Sequence, residues 1–344
     1  MATLSSRGSR SKKSNLSNSL AGLSVNSNSI RQSLNMAAKW RQIGYNPFHP
    51  DAEGYTALHR AARKGDDALV KALLSTYDGD ALEYALLGST RQGHTAMHLA
   101  SKGGHVKTAM VLYTAGKAVL GSADKHGNTP LHFAATSTAP DAFALLEWLL
   151  EHVSHLSLTK QNKYGLSPVA ALVAIATADS AAMLRLFLER HVDPNATVRG
   201  ENTLLHVCVD RRLYNMAGCL VEFGAALNIP DKAGVMVTDV VPEPHLGTLV
   251  KYVTTPQDWA TQLRKQCMSC ARRFTFFRRR HHCRLCGRTL CGSCTKHKMH
   301  LGLNAAVQEK VRVCHVCVTV VDEAKKAGSM TDVTIEADSP SMLS

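Results

Sequence analysis

From residue 51 to about residue 250 the apolar positions come in short bursts, with no long run and no sustained alternation. Leucine-rich segments such as Ala68-Leu-Val-Lys-Ala-Leu-Leu74 and Ala144-Leu-Leu-Glu-Trp-Leu-Leu150 predict helices. Small residues precede them (Ala61 and Ala62; Ala134 and Ala135) and let a neighbouring helix approach closely. The longest apolar run, near Val169 to Ala178, is interrupted by Thr177, so the chain carries no candidate membrane span.

Each burst opens on one phrase. Gly54-Tyr-Thr-Ala-Leu-His59, Gly93-His-Thr-Ala-Met-His98 and Gly127-Asn-Thr-Pro-Leu-His132 are three copies; Gly165-Leu-Ser-Pro-Val-Ala170 is weaker; Thr203-Leu-Leu-His206 has its Gly displaced to position 200. The Thr/Ser positions 56, 95, 129, 167 and 203 are spaced 39, 34, 38 and 36 apart, and Gly234 to Val240 is a degenerate sixth copy. Gly permits a turn with positive φ, Thr caps a helix, and Pro suits a first turn. This phrase at this period resembles the ankyrin repeat, and the resemblance implies a stack of helix pairs in which no repeat buries its apolar face alone. Departures from a strict period imply enlarged loops near Gly79 to Ser89 and near Ser137 to Asp141. His59, His98, His132 and His206 recur at one repeat position and read as structural hydrogen-bonding residues. Cys208 and Cys219 read as small core residues.

Charge divides the chain differently. Residues 1–50 hold seven Lys/Arg, no acid and many Ser and Asn, the composition of a disordered tail or of an organellar transit peptide. The net charge is +13, and between Trp259 and Val318 thirteen Lys/Arg face the single acid Glu309. That segment also holds eight of the ten cysteines, spaced Cys267-x2-Cys270-x12-Cys283-x2-Cys286-x4-Cys291-x2-Cys294-x19-Cys314-x2-Cys317. With no apolar leader for export, four CxxC pairs point to metal thiolates in a reducing, cytoplasmic setting. Eight thiolates suit two tetrahedral zinc ions per chain, each closed to water and therefore structural. Even with the eight thiolates ionised around two Zn²⁺ the segment stays strongly cationic, which calls for an anionic partner.

Arg279-Arg-His-His-Cys-Arg-Leu-Cys-Gly287 and Arg312-Val-Cys314 resemble the two signatures of the FYVE-type zinc finger. The resemblance implies a cross-brace of short β-hairpins and a C-terminal helix. Cys267, Cys270, Cys291 and Cys294 would hold one zinc, and Cys283, Cys286, Cys314 and Cys317 the other. It further implies binding of phosphatidylinositol 3-phosphate on endosomal membranes, with Arg279, Arg280, His281, His282, Arg284 and Arg312 around the headgroup; guanidinium forks suit phosphate. The family's W-x-x-D motif is altered: Trp259 is present, but Gln262 stands where the Asp should be. Phe276 and Phe277 occupy the family's membrane-inserting loop, with packing in the module's own core as the alternative.

The expected architecture is mainly α: a basic tail over 1–50, a repeat solenoid over 51–250, a double-zinc module over 255–325 and a second tail over 326–344. The expected function is a non-enzymatic adaptor, peripheral on endosomal membrane, with an unidentified protein partner on the repeats. Two other readings compete. One is a RING-like ubiquitin ligase scaffold, which shares the cross-brace but whose ligand set usually includes a His. The other is a nucleic-acid or protein-binding finger; Arg beside paired His fits lipid better. There is no GxGxxG, Walker A or HExxH.

Overall fold

The computed structural model describes residues 49–77, 79–200, 202–253, 257, 264–300, 310–326 and 335–337. The N-terminal tail up to residue 48, Trp259 and Gln262 lie outside these described residues.

Helix pairs stack along the chain. The first is α1 (Ala57–Lys64) with α2 (Asp67–Leu74), followed by a single helix α3 (Gly79–Leu87). Next come α4 (Ala96–Lys102) with α5 (Val106–Ala115), and α6 (Pro130–Ala135) with α7 (Ala142–His152), which leads into the short α8 (His155–Thr159). Then follow α9 (Pro168–Ile175) with α10 (Ala182–Glu189), α11 (Leu204–Asp210) with α12 (Tyr214–Glu222), and the reduced pair α13 (Val237–Val240) and α14 (Glu243–Val250). First helices pack on first helices and second on second, so each pair completes its neighbour's core. Ala62, Ala100 and Ala134 are fully buried where those helices approach.

The phrase that opens each repeat explains itself in hydrogen bonds. Thr56, Thr95, Thr129 and Thr203 are helix N-caps with His at the third helical position. The Thr hydroxyl lies 2.8, 2.9, 3.0 and 2.8 Å from Nδ1 of His59, His98, His132 and His206. The opposite ring nitrogen reaches into the next repeat, with Nε2 at 3.0 Å from the carbonyl oxygens of Gly88, Asn128 and Leu166 and at 3.2 Å from that of Val235. In His59, His98 and His132, Nδ1 also accepts the Thr backbone N–H, so Nε2 donates and the neutral ring satisfies both bonds. Each histidine therefore rivets two repeats together.

The turns between repeats use a second device. Side-chain oxygens of Asp51, Asp124, Asn162 and Asp231 accept the backbone N–H four residues on, at 2.8, 2.7, 3.0 and 2.7 Å. A glycine follows each three residues later; Gly93 in the equivalent turn has φ +83, and a Cβ there would sit 2.6 Å from the Lys125 amide nitrogen. The displaced Gly200 has its own reason: β1 (Thr197–Val198) and β2 (Asn202–Thr203) form a small antiparallel hairpin whose turn includes Arg199 and Gly200, both at positive φ.

One expectation is corrected. The insertion near Gly79 to Ser89 is helix α3 rather than a loop, because Ala81-Leu-Glu-Tyr-Ala-Leu-Leu87 is built of helix formers and buries Leu86. The segment from Ser137 to Asp141 is a loop, with the Ser137 hydroxyl donating to the Lys102 carbonyl at 2.9 Å.

The cysteine-rich module follows. Strand β3 (Arg280–His282) pairs antiparallel with β4 (Thr289–Cys291); β5 (His297–His300) lies between β6 (Lys310–Val313) and β7 (Ile335–Ala337); α15 (His315–Lys326) closes the module and packs on α14. The buried apolar residues of both parts form one continuous cluster.

Candidate functional site

Two groups of four cysteines converge. The sulfurs of Cys267, Cys270, Cys291 and Cys294 all lie within 4.8 Å of one another, as do those of Cys283, Cys286, Cys314 and Cys317. Individual separations are 3.8 Å (Cys270–Cys291), 3.7 Å (Cys283–Cys317) and 3.9 Å (Cys286–Cys314). Four sulfurs placed about 2.3 Å from a central zinc lie about 3.8 Å apart along the tetrahedron edges, whereas a disulfide would bring two to about 2.05 Å. The donor set fits two Zn²⁺. Backbone amides complete each site: Cys291 N–H and Cys314 N–H point at the Cys267 and Cys283 sulfurs, 3.3 Å away in both cases. Each first knuckle closes through a residue at positive φ, Ala271 and Gly287, whose N–H reaches the Cys267 or Cys283 carbonyl at 2.8 Å. The sites differ in shielding. All four cysteines of the second are buried, whereas Cys270 of the first is exposed and Cys294 half-buried.

The basic residues split across strand β3, as alternation along a strand requires. Arg279 and His281 line an open groove with Thr275, Arg278 and Ser293. Burial lowers the His281 pKa, and the charges of Arg312 and Arg279 push the same way. Arg280, on the other face, lies over the Phe274 ring at 5.6 Å and donates through Nε to the Arg264 carbonyl at 3.0 Å. His282 is buried, with Nε2 3.0 Å from Nη1 of Arg284. The Arg284 backbone N–H donates to the Arg312 carbonyl at 2.9 Å, which ties the loop after β3 to β6. Arg279 and His281 thus face the groove, while Arg280 and His282 point away from it, His282 toward Arg284. Sequence reasoning missed Arg278 and Ser293 in the groove wall; Ser293 sits inside a CxxC pair, where nothing in the pattern marks it.

Beside this groove the chain reverses tightly. Thr275 and Arg278 exchange backbone hydrogen bonds of 3.2 and 3.1 Å, so Phe276 and Phe277 form the tip. Their rings are 84% and 95% exposed and touch each other edge to face at 5.5 Å. Phe274 is half-buried against the core. Cys208 and Cys219 lie in the repeat core, where burial pushes both thiols up and leaves them unreactive.

Comparison with known proteins agrees with this anatomy. The family model described as FYVE zinc finger matches residues 258–323, and that for ankyrin repeats matches residues 26–120 and 80–162. Rabankyrin-5 of Mus musculus is 28% identical over 167 residues, 46% of this chain and 14% of that protein. The 1-phosphatidylinositol 3-phosphate 5-kinase FAB1 of Saccharomyces cerevisiae is 36% identical over 77 residues, 22% of this chain and 3% of that one. The chain thus spans about a seventh, or less, of the length of these relatives. Among solved structures, the ankyrin repeat domain of Bcl-3 superposes with a TM-score of 0.52 at 20% identity, covering 64% of this chain and 93% of that domain. The chain is an ankyrin-repeat protein with a C-terminal FYVE-type zinc finger that holds two four-cysteine zinc sites.

Proposed function

We propose that this protein is a non-enzymatic adaptor, peripheral on endosomal membranes, in which the finger binds phosphatidylinositol 3-phosphate and the ankyrin stack holds a protein partner. The observation that carries the reading is the bare Phe276–Phe277 tip standing directly beside the cationic groove of Arg278, Arg279 and His281. Apolar rings that fold nowhere inward gain from entering a bilayer, and the neighbouring cations gain from its phosphates. Because β3 turns its basic residues to opposite faces, Arg280, His282 and Arg284, with Arg312, whose carbonyl accepts the Arg284 amide, are assigned to the inositol phosphate. Arg279 and His281 in the groove are assigned to lipid phosphates beside it, and Phe276 and Phe277 to the acyl boundary. The two zinc ions hold the strands that carry these residues; with four sulfurs each they have no open position for substrate. The FAB1 relative acts, by its name, on the same lipid, which supports the assignment. Among the described residues no helix is long and apolar enough to cross a membrane.

A tagged full-length chain should sit on vesicular structures and disperse when the kinase that makes 3-phosphorylated inositol lipid is inhibited. Unchanged localisation under complete inhibition would refute the lipid assignment.

A further inference from the structure

We infer that the last ankyrin repeat is part of the finger's anion site: it docks the finger into one rigid body and, through Arg264 and Gln257, positions Arg280 and Arg284. The positioning half of this inference rests on the lipid-binding reading; the docking half does not.

The contact is polar, apolar and close at once. Arg288 of the finger donates through Nε and Nη2 to the Thr238 carbonyl of the repeat, at 3.2 and 2.7 Å. Gly287 of the second zinc knuckle is buried and sits so near the repeat that a Cβ on it would come 2.5 Å from the Asn228 Cβ. Helix α14 presents Gly247 to α15, where an added Cβ would lie 3.3 Å from the Val320 methyls. The fully buried Leu246 and Leu249 share one cluster with Val321 of the finger. A joint with complementary glycines, paired backbone groups and a common core is not a flexible linker.

From this joint two relays run to the basic residues. Arg264 forms an ion pair with Asp239 of the repeat and donates to the Gly234 carbonyl at 3.2 Å; its own carbonyl receives Arg280 Nε at 3.0 Å. Gln257 accepts the Leu227 amide of the repeat on Oε1 at 3.0 Å. The same Gln257 donates its backbone N–H to the Arg284 carbonyl at 2.7 Å and accepts Arg284 Nη1 at 3.2 Å. Asp239 is thus a positioning residue: it touches no anion, yet loosening it frees the guanidinium of Arg280 two hydrogen bonds away. Docking also fixes the angle between the ankyrin surface and the membrane.

The test uses full-length, zinc-loaded protein and two variants on the repeat side: Asp239→Asn, and Asp239→Asn with Gly247→Leu. Oδ2 of Asp239 accepts both the Met236 amide and Arg264, so Asn at this position keeps the cap oxygen and removes the charge that holds Arg264. NMR relaxation should give one rotational correlation time for repeats and finger in the wild type and two in the double variant. Titration with soluble inositol 1,3-bisphosphate should show affinity falling roughly three- to tenfold in the double variant, within the coupling range of directly connected residues, with both zincs retained. If the double variant loses zinc, the single variant carries the affinity test, with a loss of about two- to threefold expected by the same reasoning. Two correlation times in the wild type would overturn docking. Independent tumbling with unchanged affinity would overturn positioning. A wild type that binds no headgroup at all would refute the lipid reading and positioning with it, while the relaxation result still decides docking.

Discussion

The repeat histidines show most directly how one side chain sets a property of the whole stack. Burial lowers the pKa of His59 and His132 and brings that of His98 down to about 4, against carbonyl hydrogen bonds that pull the other way. The fold holds these rings neutral, whereas the unfolded chain protonates them near the ordinary value of about 6.5. Their contribution to stability is therefore fully present above about pH 6.5 and is lost as pH falls through the lowered values, for His98 about 4, at up to about 1.4 kcal/mol per pH unit per histidine. Urea unfolding followed by helicity should give a lower midpoint at pH 5 than at pH 7.5. An equal midpoint at both would mean that the rings are protonated in the fold. At the finger, Phe276 and Phe277 contribute nothing to the core, so Phe276→Ser with Phe277→Ser should leave zinc content and the melting curve unchanged. The same change should remove roughly 1.5–3 kcal/mol of salt-resistant vesicle binding per inserted ring while sparing the soluble headgroup. Zinc loss in that variant would show instead that the rings support the fold.

Among the elements, the two zinc sites are chemically equivalent and physically unlike. A chelator reaches an exposed thiolate before a buried one, so zinc should leave in two phases, first from the site with exposed Cys270 and half-buried Cys294. Release monitored with a colorimetric chelator should be biphasic, and Cys270→Ser should abolish the fast phase only. A single phase in the wild type would contradict the difference in shielding. The elements are unevenly legible in the sequence. The Thr caps, their His partners and the CxxC pairs can be read because they are local chemistry at fixed spacing. The Asp or Asn three residues before four of the turn glycines recurs just as plainly, at Asp51, Asp124, Asn162 and Asp231, yet the stronger Gly-Thr-His signal masks it. Helix α3 is hidden because a mostly exposed insertion, with Tyr84 84% accessible, obeys no repeat period.

At the level of the whole molecule, what no sequence pattern discloses is the joint between repeats and finger. Gly287 and Asn228, or Arg288 and the Thr238 carbonyl, are ordinary in composition and meet only because two folds meet. The same holds for the division of the basic signature across β3, which follows from strand alternation after the strand is known. A strongly cationic module could bind any anionic surface, so the central claim is stereospecific recognition of one phosphate position. The direct measurement is flotation of the full-length protein with vesicles that carry inositol lipid phosphorylated at the 3-, 4- or 5-position, matched for total charge, at low and high salt. Stereospecific recognition predicts retention on the 3-phosphorylated vesicles at both salt concentrations, and on the other two only at low salt. Equal binding to all three, lost together as salt rises, would contradict it.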